Sequence, residues 1–299
     1  MLEVKKLTTM YGNKIGIKDI NFQAKEGRIL GILGRNGAGK STLFRTILNI
    51  LEKASGEIKL DDKDISYDVL DNVGYLIEEG SLTPEYTVYD QFKMYGIIKG
   101  MSDEEITESL VKLLEKFNML EYLNMKIKNI SKGNKQKLQF IVALMHNPKL
   151  LILDEPFSGL DPVSVEELKK VILEQKEQGK IIVFSSHRME HVELICDDIL
   201  LIRKGKTILS GDLNEIKERY NKRKISVVGK IDTKKLKSSN IYNIQNEKID
   251  TYDIYVEGQE NIKEVIDELN KNKIQSISIS NLSLDDIFKE EAGVAYEEE

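Results

Sequence analysis

The sequence predicts an α/β fold: a mixed sheet, an inserted helical subdomain and a small α+β domain at the C-terminal end. Three observations predict it. Lys149–Leu153 and Ile181–Ser185 are continuous apolar runs of strand length, the pattern of parallel strands covered on both faces. A glycine-rich turn stands between another such run and a helical pattern. Beyond Leu213 a highly charged stretch precedes a fresh set of strand and helix signals.

In chain order, Leu2–Leu7 and Ile15–Ala24 read as strands, the second with apolar alternation at Ile15, Ile17, Ile20 and Phe22. Arg28–Leu33 is the short apolar run that ends in the glycine turn. Thr42–Leu51 has helical spacing, with Leu43, Ile47, Ile50 and Leu51 apolar. From Thr83 to Asn147 helical spacing dominates, as in Ile106, Leu110, Leu113, Leu114 and Phe117. This is the inserted helical subdomain. Strand and helix alternation resumes with Lys149–Leu153, a helix over Val165–Gln178 stopped by Gly179, then Ile181–Ser185 and Asp198–Arg203. Residues 1–212 therefore form one domain and 213–223 a linker, with Glu215–Lys224 helical. Residues 224–299 form the second domain. Its strands are Ile225–Ile231, Tyr252–Glu257 and Ile274–Ser280. Ile262, Val265, Ile266 and Leu269 mark an amphipathic helix, and Leu284–Glu291 a short final one.

Composition bounds the function. The 299 residues are 40% hydrophobic and 31% charged, which suits one large core or two smaller ones. The net charge of −6 lacks the basic excess of a nucleic-acid binder. The single cysteine, Cys196, rules out an intrachain disulfide and sits in an apolar context typical of a buried small residue. No run of about 18 apolar residues occurs, and the N-terminus carries no signal-peptide pattern. If the protein works at a membrane, another chain supplies the spanning part.

The chemistry lies at three strand ends. Gly34-Arg-Asn-Gly-Ala-Gly-Lys40-Ser41-Thr42 matches G-x-x-x-x-G-K-[ST] at every fixed position, in strand–loop–helix context. Glycines let successive N–H groups turn inward at phosphate oxygens, and the helix starting near Lys40 adds its positive end. The candidate nucleotide contacts are Gly34, Asn36, Gly37, Ala38, Gly39, Lys40, Ser41 and Thr42. Lys40 is the point charge for the outer phosphates, and Ser41 offers a hydroxyl to Mg²⁺. The run Leu150–Leu153 ends in Asp154 and Glu155, at the edge where such sheets bind ligands. Asp154 is the candidate Mg²⁺ ligand and Glu155 the general base. His187, just past Ile181–Ser185, points into the same cleft and can bond a phosphate and the attacking water. His146 and His191 have no metal-ligand spacing and read as ordinary histidines.

These three elements, in this order, resemble the nucleotide-binding domain of an ABC transporter, over about residues 2–212. That family carries a signature loop before the Asp-Glu strand. Ile130-Ser-Lys-Gly-Asn-Lys-Gln-Lys137 stands in its place, keeping Ser131 and Gly133 and replacing the first glycine by Lys132 and the glutamine by Asn134. The resemblance implies that Ser131 and Gly133, ahead of a helix from about Lys135, act on ATP held by a second copy. Two domains then pair head to tail around two ATPs. Ser158-Gly-Leu-Asp161 resembles the loop that crosses that interface, which makes Asp161 a site candidate. Tyr11 resembles the aromatic that stacks on adenine. Where the family has a Mg²⁺-touching glutamine, Val73-Gly-Tyr-Leu-Ile-Glu78 offers a carboxylate, with Glu79 competing by one position.

The implied protein is an ATPase subunit, a homodimer or paired with a close paralogue, on the cytoplasmic face of the membrane beside a separate permease. The Leu-Ile-Glu form, Lys132 and the C-terminal extension resemble exporters of lantibiotics and related membrane-active peptides. A hydrophobic drug or sodium ion is the alternative cargo. A non-transport role on ribosomes or DNA is the competing class. It conflicts with the acidic balance, the single set of motifs and the short interval between phosphate loop and signature. The C-terminal domain resembles an accessory module with a role in subunit pairing.

Overall fold

The computed structural model describes residues 1–77, 82–233, 236, 241–270 and 272–292. The chain divides into two compact units, Met1–Asp212 and Leu213–Glu299.

In the first unit the elements run β1 (Leu2–Tyr11), β2 (Lys14–Ala24), β3 (Ile29–Leu33), α1 (Lys40–Ile47), β4 (Ser55–Leu60), β5 (Lys63–Asp64), α2 (Tyr67–Leu70) and β6 (Val73–Leu76). They continue with α3 (Val88–Ile98), α4 (Asp103–Lys116), α5 (Lys132–Leu144), β7 (Leu150–Asp154), α6 (Pro162–Glu177), β8 (Ile181–Ser186), α7 (Met189–Ile195), β9 (Asp198–Arg203) and β10 (Lys206–Asp212). Two sheets result. One is antiparallel with order β2-β1-β4-β5. The other is six-stranded and mixed, with order β10-β9-β3-β8-β7-β6. Its strands are parallel except β10, which returns antiparallel on β9.

All five residues of β3 and of β7, and all six of β8, are buried, as a parallel strand between helical layers requires. Leu43, Phe44 and Ile47 of α1 join Leu2, Val4, Ile17, Ile20, Leu30 and Ile32 in one core, so the helix after the glycine loop packs against both sheets. Burying Phe44 contributes about 2–3 kcal/mol. Strand order decides where chemistry can happen. β8 lies between β3 and β7, with Leu33 beside Ser186 and Asp154 beside Ser185. The loops leaving these three strands therefore emerge side by side.

The helical segment holds α3, α4 and α5. Ile106, Leu110, Leu114 and Phe117 are buried, while Leu113 is only half-buried. Ser102 and Glu105 close a capping box at the start of α4. Among the described residues no helix is long and apolar enough to cross a membrane.

Several boundaries differ from the sequence expectation, β1 running on to Tyr11 and α6 starting at Pro162 among them, and three have a clear physical reason. The helix read as Thr42–Leu51 is Lys40–Ile47. Asn49 takes a left-handed φ of 55°, the amides of Ile50 and Leu51 fold back onto the Arg45 carbonyl, and Ile50 is left exposed. The helix expected from Lys135 begins at Lys132, because the Ser131 hydroxyl accepts the Asn134 amide as an N-cap. The helix read as Glu215–Lys224 stops at Arg219, since Lys222–Lys224 already pair with Tyr255–Glu257.

In the second unit α8 (Leu213–Arg219) is followed by β11 (Lys222–Lys230), β12 (Ile241–Lys248), β13 (Thr251–Glu257), α9 (Ile262–Leu269), β14 (Lys273–Asn281) and α10 (Leu284–Ala292). The sheet is antiparallel with order β12-β13-β11-β14. Ile225, Val227, Ile254 and Val256 of the sheet pack on Val265 and Leu269 of α9.

Candidate functional site

Two glycines of the loop that leaves β3 have no room for a side chain. A Cβ on Gly34 would lie 2.5 Å from the Ile202 carbonyl oxygen and 2.8 Å from the Ala38 Cβ. Gly39 has φ +113°, and a Cβ there would lie 2.8 Å from the Ile17 Cγ2. No side chain caps α1, so its first-turn amides stay available at the loop.

Lys40 is buried. Its ammonium donates to the Gly34 carbonyl at 2.8 Å and lies 3.6 Å from the Glu155 Oε1. This holds the cation under the loop, facing the end of β7. Asp154 is the last residue of β7 and accepts a 2.6 Å bond from the Ser185 hydroxyl. Burial raises its carboxyl above the usual range, opposed by the Ser185 bond and by Lys40. Glu155 has φ +49°, a left-handed conformation that costs a side chain about 1–2 kcal/mol. The Ser185 hydroxyl accepts its amide at 3.0 Å and helps hold that turn. The strain aims the carboxylate back at Lys40. Among the described residues no aligned hydrogen bond reaches the buried Glu155 Oε1, although His187 Nδ1 stands 2.9 Å away and the Lys40 ammonium 3.6 Å away. A buried carboxylate oxygen held between an ammonium and an imidazole at a cavity wall is placed to accept from a water or ligand atom there.

Lys40, Asp154 and Glu155 border a cavity of about 370 Å³, whose lining does not include Ser185 or His187. Asn36, Gly37, Gly39, Lys40, Ser41 and Thr42 form one wall, and Asp154 and Glu155 close the far side. Tyr11 stands at the mouth. Its ring packs on Gly16, its hydroxyl lies 3.2 Å from the Thr42 Oγ1, and it is 44% exposed. Gly34 and Ala38 do not line the cavity. They pack against each other beneath the loop, and the Ala38 carbonyl accepts the Gly205 amide. Among the described residues no three His, Cys, Asp or Glu cluster as a metal cage. The Ser41 hydroxyl and Asp154 carboxylate are nonetheless hard oxygen donors on one cavity. That set fits Mg²⁺, which usually completes its shell with substrate phosphates and water.

Ser131, Gly133 and Asp161 are not brought to this cavity. Ser131 caps α5 and keeps its hydroxyl proton to donate. A Cβ on Gly133 would meet only the Leu160 Cδ2, at an ordinary 3.7 Å, so nothing among the described residues demands glycine there. Asp161 caps α6 through Val163 and Ser164, and these bonds hold its carboxyl below the usual range. Glu78 and Glu79 lie outside the described residues. His146 bonds the Val73 carbonyl, and His191 packs edge-on to Phe157; neither reaches the cavity. Sequence reading assigned no role to Ser185, which ties β7 to β8 at the site. A serine ending an otherwise apolar buried run was the available signal.

Residues 17–158 match the ABC transporter family profile, and residues 211–292 match that of the ATP-binding protein DrrA1-3-like C-terminal domain. YhaQ of Bacillus subtilis, an uncharacterized ABC transporter ATP-binding protein, is 39% identical over 99% of this chain and 100% of its own. The lantibiotic transport ATP-binding protein SrtF of Streptococcus pyogenes is 34% identical over 74% of this chain and 96% of its own. The dimeric structure of a bacterial ABC transporter cassette superposes with a TM-score of 0.65 at 25% identity, over 71% of this chain and 99% of that one. Phosphate loop, paired carboxylates and these matches agree: the chain belongs to the ATP-binding proteins of ABC transporters.

Proposed function

We propose that this chain hydrolyses ATP in a closed head-to-tail pair and thereby drives a separate permease. The observation that carries the reading is the buried Glu155 Oε1 held between Lys40 and His187 at the wall of the glycine-loop cavity. Lys40 and the first-turn amides of α1 bind the phosphates. Ser41 and Asp154 hold Mg²⁺, which neutralises phosphate charge when bound, with Glu78 at the family's glutamine slot as a further ligand. Glu155 takes a proton from the attacking water at Oε1, and His187 orients that water against the terminal phosphate. Tyr11 stacks on the adenine.

Ser131 and Gly133 act on the second copy's nucleotide. Two observations support this: neither lines its own chain's cavity, and no described residue demands glycine at 133. Asp161 fixes the loop that crosses the interface by capping α6. The pair is a homodimer or forms with a close paralogue, at the cytoplasmic face of the membrane. The direction is export, and the cargo class is a membrane-active peptide, as supported by the likeness to SrtF. Residues 224–299 form the accessory domain.

Reconstitution with the permease that co-purifies with this chain tests the reading. Peptide efflux that requires ATP and stops with Lys40→Ala is expected. Co-purification with ribosomes and no membrane protein would overturn the transport role.

A further inference from the structure

The turn between β9 and β10 reaches under the glycine loop. Lys204 and Gly205 take left-handed φ of 49° and 75°, and Arg203 pairs with Lys206, the geometry of a two-residue hairpin. A tight turn accounts for those angles. It does not account for where the turn sits. The Gly205 amide donates to the Ala38 carbonyl of the glycine loop at 2.9 Å, and the Gly205 carbonyl accepts the Lys18 amide of β2 at 2.7 Å. A Cβ on Gly205 would lie 2.5 Å from the Gly16 carbonyl oxygen and 3.2 Å from the Ile17 Cα, backbone atoms that no rotamer change moves aside. Gly39 closes the junction: a Cβ there would lie 3.2 Å from the same Gly16 oxygen and 3.5 Å from the Gly205 Cα. Gly16 in turn borders the cavity, and a Cβ on it would lie 3.0 Å from both the Tyr11 ring and the Thr42 Cγ2.

We propose that Gly205 is a positioning residue for the nucleotide: it fastens the glycine loop to β2 and so sets the spacing between the phosphate-binding amides and the Tyr11 ring. Gly205 does not line the cavity; it acts through Ala38, Gly16 and Lys18. A side chain at 205 drives the turn away from the Gly16 carbonyl, and the bond to Ala38 is lost with it. The loop then loses its tether to β2, and its amides no longer converge on one phosphate position. The inference rests on the ATP-binding reading above and adds to it a residue outside the cavity on which binding depends.

The test titrates the full chain with Mg-ATP by calorimetry. Gly205→Ala should weaken ATP binding about tenfold or more. Gly205→Asn separates the two reasons for glycine, since asparagine tolerates a left-handed φ but still carries a Cβ. It should bind as poorly as Gly205→Ala; binding at the wild-type level by either variant would overturn the proposal. Gly179 is the control: its φ is +81°, and among the described residues nothing lies within 4 Å of a Cβ there, so Gly179→Asn should bind ATP normally. A second measurement needs no variant, in case the Gly205 chains fail to fold. Hydrogen exchange of the Gly205 and Lys18 amides in the wild type should slow about tenfold or more with Mg-ATP at about 100 times its Kd, against the β11–β13 ladder of the second unit as reference. No slowing beyond that reference would overturn the proposal. Lys40→Ala, titrated alongside, reports on the ATP-binding reading: wild-type affinity there would sink that reading, whereas a Gly205 result at the wild-type level with Lys40→Ala impaired would sink only this one.

Discussion

Replacing Ser185 by alanine removes one hydroxyl that serves two buried groups. It donates to Asp154 at 2.6 Å and accepts the Glu155 amide at 3.0 Å. A hydrogen bond to a charged group contributes about 1.5–3 kcal/mol, and an orphaned buried amide costs about 1–3 kcal/mol. The two share one atom and are not additive, so the expected loss is about 2–4 kcal/mol. Hydrogen exchange resolved to β7 and β8 measures it in the nucleotide-free chain. Protection there should fall about 30-fold or more, since 1.36 kcal/mol is tenfold. Ser186→Ala is the internal control, because among the described residues the Ser186 hydroxyl accepts the Arg188 amide in the turn after β8 and touches neither carboxylate-bearing residue. A Ser185→Ala effect below about threefold, or no greater than that of Ser186→Ala, would refute the view that this hydroxyl holds the two carboxylate-bearing residues in place.

Gly39→Ala forces a side chain into φ +113° and against Ile17; a loss of about 2–4 kcal/mol and of ATP binding is expected, read by thermal melting and calorimetric titration. Normal melting and binding would show that the loop can relax. Lys40→Ala should cut ATP affinity about 10-fold or more by the same titration, since it deletes a charge-assisted donor. His146 gives a pH effect. Burial holds its pKa down to about 4, against about 6.5 unfolded, so the unfolded chain binds the extra proton between these values. Stability should therefore fall as pH drops from 6.5 to 4, by about 1–2 kcal/mol after allowance for partial exposure. His146→Gln, which can still donate to the Val73 carbonyl, should flatten the decline in urea unfolding; an unchanged slope would remove His146 as its source.

The site was legible in the sequence where its logic is local. Gly34–Thr42, Asp154, Glu155 and His187 each follow a buried apolar run, and parallel strands put such ends on one edge. Ser185 was not legible as a site residue, because its role depends on β8 pairing beside β7. Backbone conformation hid more. Asn49 ends α1 early through a left-handed turn, although the apolar spacing continues to Leu51. β12 lacks a sustained alternation and is stabilised by its ladder with β13 rather than by its own composition. Ser131 and Gly133 look unremarkable within one chain, a cap and a first-turn glycine. Their pattern has a purpose only if another copy lies against it.

That last point is the central claim, and one measurement reaches it directly. Glu155→Gln keeps the shape of the site but lacks the carboxylate that takes the water's proton. Its mass is measured by light scattering with Mg²⁺ and with or without ATP. The account predicts a monomer without ATP, a dimer with ATP, and loss of that dimer when Ser131 is also changed to arginine. A chain that stays monomeric with ATP bound, or a dimer indifferent to Ser131, would contradict it.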